Sequence, residues 1–153
     1  MKFFIRLVLF LIINFGALAI GRYLMDNGPE SSWYINLNQA PWTPPGIVFG
    51  IAWTTVMICF SIYMAKLIEV KNTKTVWILF TVQFLLNVSW NYIFFNQHMV
   101  ALGMINLVLL LTLVAYITFN FKKILKIYTI FILPYLLWLI VANSLNGYIL
   151  FNN

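Results

Sequence analysis

The sequence predicts an all-α integral membrane protein, a bundle of five transmembrane helices, on three observations. Five apolar blocks occupy nearly the whole 153-residue chain. Hydrophobic residues make up 63% of it and charged residues only 8%, which leaves no material for a soluble domain. The basic residues fall into alternate gaps between the blocks, as expected of a chain that crosses a bilayer repeatedly.

The blocks cover residues 3–25, 46–66, 75–95, 100–121 and 128–151. Each approaches or exceeds the ~20 residues needed to cross a ~30 Å hydrocarbon core. In lipid every backbone amide needs a partner within its own segment or a closed barrel, and these blocks far exceed the ~10 alternating residues of a barrel strand, so helices follow. The whole chain, residues 1–153, reads as one transmembrane domain. The first block has features of a secretory signal, with Lys2, an apolar run from Leu7 and the small residues Ala17-Leu18-Ala19. Arg6 and Asn14 interrupt that run, and Ala17 with Gly21 forms a small-xxx-small pair suited to close packing, so it is read as a retained span. Short gaps after the second block predict antiparallel neighbours from there on.

Lys2, Arg6, Lys66, Lys71, Lys74, Lys122, Lys123 and Lys126 all fall on one side of the membrane in this scheme, and only Arg22 falls on the other. The positive-inside rule then predicts a cytoplasmic N-terminus and an external C-terminus in a multi-pass plasma-membrane protein. The net charge of +6 is accounted for by anchoring to an anionic inner leaflet, with no nucleic-acid partner. Arg22 and Asp26 stand four apart and are expected to form a local surface pair.

Asp26, Glu30 and Glu69 lie in loops or at helix ends, and the only histidine, His98, is in the short third loop. No carboxylate is expected at membrane depth, which argues against an ion-coupled pump or a metal hydrolase; no metal site and no required cofactor is predicted. Nucleotide-binding glycine motifs are absent. Cys59 is the single cysteine, so no internal disulfide or thiolate metal cluster is possible.

Uncharged polar residues are better organised. Gln83, Asn87, Trp90, Asn91 and Phe94 follow three-and-four spacing and share one helical face. Tyr135, Trp138, Ala142 and Asn146 repeat the arrangement in the fifth block, Trp53, Met57 and Ser61 in the second, and Asn106 stands alone in the fourth. Such groups either glue helices together or line a pocket for a flat, largely apolar ligand. Residues 26–45 form the first loop, read as a rigid lid because Pro41, Pro44 and Pro45 fix φ and Pro44-Pro45 lead into the second helix. Trp33, Tyr34 and Trp42 either lie at the interface as an aromatic belt or fold over the bundle mouth, and Ser31-Ser32 is placed to start a short helical turn.

Taken in order, these residues resemble the translocator protein family, TspO/MBR, once called the peripheral benzodiazepine receptor. The resemblance rests on Trp33-Tyr34-x-x-Leu37, Pro41-Trp42-Thr43-Pro44-Pro45, Trp53, Gln83-x-x-x-Asn87-x-x-Trp90 with Phe94-Phe95, Pro134-Tyr135-x-x-Trp138, Ala142, Asn146 and Asn153. It implies a five-helix bundle, usually dimeric, that binds porphyrins and haem-related tetrapyrroles, sterols and synthetic drugs such as benzodiazepines. By position it implies that Tyr34, Trp42, Trp53, Asn87, Trp90, Tyr135, Trp138, Ala142 and Asn146 are pocket or lid residues, with Trp53 and Trp138 matching tryptophans associated with light-dependent porphyrin breakdown. The expected function is a bacterial tetrapyrrole receptor or sensor, acting as a homodimer; light-dependent porphyrin degradation and transport of tetrapyrroles or lipids are the alternatives. Three departures stand out. Ala40 replaces a common proline, which predicts a slightly looser lid. Asn106 stands where many relatives have an acidic residue. Near the C-terminus the sterol pattern fails after Leu145 and Tyr148, where no basic residue follows, and although Leu113, Tyr116 and Lys122 match it formally, the pattern is a weak one, which argues against sterol binding.

Overall fold

The computed structural model describes residues 2–153, which are helical without a strand. Five long α-helices and one short one account for most of the chain: α1 (Lys2–Leu24), α2 (Ser32–Ile35), α3 (Gly46–Val70), α4 (Lys74–Asn91), α5 (Val100–Leu125) and α6 (Leu133–Asn152). Four continuous helical stretches are long and apolar enough to cross a membrane, Lys2–Glu30, Gly46–Val70, Lys74–Asn96 and Val100–Asn152. The last contains both α5 and α6.

Local chemistry explains the boundaries. Ser31 caps α2 by accepting from the Tyr34 amide at 3.2 Å, and Thr73 caps α4 by accepting from the Val76 amide at 3.4 Å. Pro45 delivers the chain in extended geometry to Gly46, where α3 starts. At its other end α3 runs on to Val70, past Lys66. Beyond Asn91, α4 widens into a π-helical stretch, Tyr92–Asn96. α5 extends through Lys122 and Lys123 to Leu125, and Lys126 takes φ +51° as the chain enters a 3-10 stretch, Lys126–Ile132. The fifth block therefore starts as a 3-10 segment, and α6 begins only at Leu133. Pro134 has no N–H to give an upstream carbonyl and sits in the first turn of α6, where none is required.

The five long helices close into a ring in which α1 packs on α3 and α4, α4 on α5, α5 on α6 and α6 on α3. Antiparallel adjacency holds for α4–α5 and α5–α6 but not for α3–α4. α1 contacts both of those helices, while α3 and α4 barely meet backbone to backbone. Phe10 of α1 is fully buried there, stacked on Trp77 at 5.8 Å and edge-on to Phe80 at 5.0 Å. Gly21 permits part of this approach, because an added Cβ would come within 2.7 Å of Asn91 Nδ2 on α4. The predicted Arg22–Asp26 pair does not form. α1 ends at Leu24 and Asp26 takes φ +56°, which breaks the i,i+4 register; Lys66 with Glu69, at 3.0 Å, is the ion pair among the described residues.

Large apolar side chains lie both inside and outside. Phe60, Tyr63, Leu110, Ile117 and Leu139 are fully buried or nearly so, whereas Ile5, Ile12, Ile51, Leu109, Phe119 and Leu137 are exposed on the outer faces. Helices apolar all round suit a lipid surround. Polar interior side chains tie neighbours together: Asn14 donates to Ser61 Oγ at 2.8 Å, Asn106 to Ser89 Oγ at 2.9 Å, and Asn143 to the Leu107 carbonyl at 3.3 Å. Asn106 thus joins α5 to α4.

Candidate functional site

Tyr135, fully buried, lies at the centre of the polar interior. Its Oη accepts from Gln83 Nε2 and Asn87 Nδ2, each at 2.7 Å. The two donors stand four apart on α4, so a single helical face delivers both amides to one oxygen. Around this cluster the aromatic rings meet edge to face: Trp53 with Tyr135 at 6.2 Å, Trp53 with Trp138 at 6.5 Å, Phe49 with Trp138 at 5.3 Å and Phe60 with Tyr135 at 5.3 Å. Gln83 Oε1 and Trp138 Nε1 are buried with no hydrogen-bond partner among the described residues.

Four of the residues singled out by sequence, Trp53, Asn87, Tyr135 and Trp138, thus converge. The two indoles do not stand as parallel walls. Their planes cross at 79°, the arrangement favoured by ring quadrupoles, whereas a flat ligand sandwiched between them needs two parallel faces each about 3.5 Å from it.

Trp90 and Asn146 form a separate clasp. Trp90 Nε1 donates to Asn146 Oδ1 at 3.4 Å, and Asn146 Nδ2 donates to the Val100 carbonyl at 3.2 Å, so one amide joins α4, α5 and α6. Gly103 lies against this clasp, since an added Cβ would meet Phe94 at 3.3 Å and Asn146 Oδ1 at 3.4 Å. Asn91 turns from the predicted face toward α1, and its Nδ2 also reaches the Asn87 carbonyl at 3.3 Å. Ala142 is half-buried against the core.

The lid folds over the bundle mouth on a second aromatic cluster. Phe94 and Phe95, both buried, carry Trp33 and Tyr34 at 5.3 to 6.2 Å, and Phe94 stacks on Trp90 at 5.2 Å. Trp33 also stacks on His98 at 4.1 Å, which places the histidine at the lid margin. Burial raises the Tyr34 phenol above its ordinary pKa. Trp42 stays 55% exposed, yet its Nε1 donates to Ser144 Oγ at 3.1 Å and its ring meets Tyr148 edge-on at 5.4 Å. Asn153 accepts from the Asn38 amide at 2.7 Å and donates to the Asn38 carbonyl at 3.3 Å, much as a neighbouring strand would. Ala40, in place of proline, is buried, and its carbonyl accepts from the Thr43 amide at 2.9 Å, so the turn is closed rather than loose. Sequence reasoning did not identify Asn38, Ser144 or Phe49; Asn38 and Ser144 lack any periodic signal, and Phe49 reads as an ordinary lipid-facing residue.

The TspO/MBR family model matches residues 7–151. The chain is 31% identical over 126 residues to the tryptophan-rich protein TspO of Chlorobaculum tepidum, covering 80% of each chain. It is 34% identical over 119 residues to protein CrtK of Rhodobacter capsulatus, covering 75% of this chain and 74% of that one. The tryptophan-rich sensory protein of Cereibacter sphaeroides is 26% identical over 114 residues, with 74% and 72% covered. With a match spanning nearly every helix, and helices apolar on their outer faces, the chain belongs to the TspO/MBR family of membrane proteins.

Proposed function

We propose that this protein is a five-span membrane receptor or sensor for a tetrapyrrole, with the ring bound against Trp53, Tyr135 and Trp138 beneath the lid. The observation that carries this reading is the meeting of those three rings with the Gln83–Tyr135–Asn87 cluster, next to two buried polar atoms, Trp138 Nε1 and Gln83 Oε1, that have no partner among the described residues. Stacking supplies the binding and the unsatisfied groups orient the ligand. The relative named a sensory protein supports a sensing role. Binding requires the two indoles to separate and the lid to lift at Trp42 and Asn38. The Trp90–Asn146 clasp holds the helices beneath. The distribution of basic residues supports a cytoplasmic N-terminus and an external C-terminus, and a homodimer is the proposed assembly.

Protoporphyrin IX quenching of tryptophan fluorescence tests the site. Trp138→Ala is expected to weaken the affinity at least tenfold, while unchanged affinity removes this site from consideration. A second reading, photo-oxidative porphyrin breakdown, is favoured by the contiguous edge contacts from Tyr135 through Trp53 to Trp138, three side chains able to exchange an electron with an excited ring. Illumination under oxygen separates the readings: a product spectrum that disappears with Trp53→Phe or Trp138→Phe favours chemistry, and bleaching like that of free porphyrin favours binding alone.

A further inference from the structure

At the end of the bundle where α3 and α5 finish and α4 begins, cations far outnumber carboxylates. Lys66, Lys71, Lys74, Lys122, Lys123 and Lys126 lie there with Lys2 and Arg6 of α1. Asp26 and Glu30 follow α1 at the opposite end, and Glu69 is already paired with Lys66 at 3.0 Å. Part of this charge is held in place by aromatic rings. Lys71 Nζ sits 5.3 Å from the centre of the Phe121 ring, which ties the end of α3 to the end of α5, and Lys122 Nζ sits 5.2 Å from the centre of the Phe119 ring.

The turn from α5 toward α6 adds a second property. Lys122, Lys123 and Lys126 are all exposed, and the Lys126 amide donates to the Lys122 carbonyl as the chain leaves the helix at φ +51°. Next to them in the chain Phe119, Ile127 and Ile130 are exposed as well, Ile127 at 74%. The helix dipole favours cations in the last turn of α5. That accounts for Lys122 and Lys123, but not for Lys126, where the helix has ended, nor for bare isoleucines on the 3-10 stretch. Ammonium groups with apolar side chains alongside complement a molecule that is anionic at one end and apolar at the other. A soluble polyanion would leave the isoleucines unused, and a lipid without net charge would leave the lysines unused.

We infer that the turn joining α5 to α6 is a binding site for an anionic phospholipid, with the headgroup phosphate on Lys122, Lys123 and Lys126 and the acyl chains along Phe119, Ile127 and Ile130. The general attraction of a basic face for an anionic leaflet is spread over every cation at that end. This site is local: it is built from one turn, and cations elsewhere on the same face do not replace it. It does not rest on the tetrapyrrole reading.

The test is native mass spectrometry of the full chain in detergent micelles, titrated with dioleoyl phosphatidylglycerol or dioleoyl phosphatidylcholine. The wild type is expected to retain phosphatidylglycerol in preference to phosphatidylcholine by at least tenfold. Replacing Lys122, Lys123 and Lys126 together by Gln is expected to abolish that preference, and Lys126→Gln alone to weaken phosphatidylglycerol binding about fivefold, the scale of one lysine at a lipid surface. Lys126→Gln removes a single charge outside α5, so it decides the matter if the triple variant does not fold. Lys2→Gln with Arg6→Gln removes two charges from the same face on another helix and is expected to leave the preference within twofold of wild type. Glycerol 3-phosphate carries the phosphate without acyl chains and is expected not to displace the lipid. Equal retention of the two lipids, wild-type preference in the lysine variants, an equal loss in the Lys2 and Arg6 variant, or displacement by glycerol 3-phosphate would each overturn the inference, the last two by pointing to a diffuse basic face and to a site for soluble phosphate.

Discussion

Replacing Tyr135 by Phe removes one oxygen atom and leaves the ring in its contacts with Trp53 and Phe60. That oxygen accepts two amide N–H groups at 2.7 Å each, so the substitution strands two donors where Gln83 is only 2% exposed. A stranded buried donor costs about 1–3 kcal/mol in soluble proteins. Within membranes, side-chain hydrogen bonds average ~0.6 and reach ~1.7 kcal/mol, because the unfolded chain in lipid also finds partners. Two such bonds place the expected loss at about 1–3 kcal/mol. The assay is reversible unfolding in mixed dodecyl maltoside and SDS micelles, followed by tryptophan fluorescence. Adding Gln83→Leu and Asn87→Leu to Tyr135→Phe removes the stranded amides and is expected to recover most of the loss, since deleting both sides of a hydrogen bond costs far less than deleting one. A Tyr135→Phe chain as stable as the wild type, or a triple variant that falls by the sum of its parts, would refute the view that this phenol organises the interior.

Asn153→Ala should release the lid locally: the Asn38 amide loses its acceptor, and hydrogen–deuterium exchange there is expected to accelerate about tenfold, with global stability changed by less than ~1 kcal/mol. Gly21 and Gly50 make opposite predictions in the same unfolding assay. Gly21→Leu drives a side chain into Asn91 and is expected to cost more than ~2 kcal/mol, whereas nothing lies within 4 Å of a Cβ at Gly50 and Gly50→Ala is expected to stabilise by about 0.5–1 kcal/mol. For orientation, in a Cys59→Ser background, Gln97→Cys should react with an impermeant maleimide on intact cells and Asn72→Cys only after permeabilisation; the reverse pattern refutes the assigned topology.

Features written into local chemistry were legible from sequence. Pro44-Pro45 marks the start of α3 at Gly46, and the three-and-four spacing of Gln83 and Asn87 puts both amides on the face that meets Tyr135. Other features depend on partners far away in the chain. The insertion of α1 beside both α3 and α4 contradicts the adjacency that a three-residue linker, Lys71 to Thr73, implies. Its cause is the fit of Phe10 among Trp77 and Phe80, and of Gly21 against Asn91, which periodicity does not encode. The lid's fastenings join residues 102 and 115 positions apart. Pro134 was visible, but its consequence, a delayed start for α6, depends on the preceding 3-10 stretch.

The closed contact between Trp53 and Trp138 sets a threshold for the proposed interior site. Separating the two rings costs about 0.5–1.5 kcal/mol. Lifting the lid breaks the Trp42–Ser144 bond and the two Asn38–Asn153 bonds, at about 0.5–1.5 kcal/mol each. Opening therefore costs about 2–6 kcal/mol before any ligand contact is made. Apolar burial returns about 2.5 kcal/mol per 100 Å², so a ligand has to bury roughly 250 Å² before binding gains on the upper figure. A flat macrocycle presenting two faces to indole passes that threshold, and a one- or two-ring compound does so only by burying most of its surface.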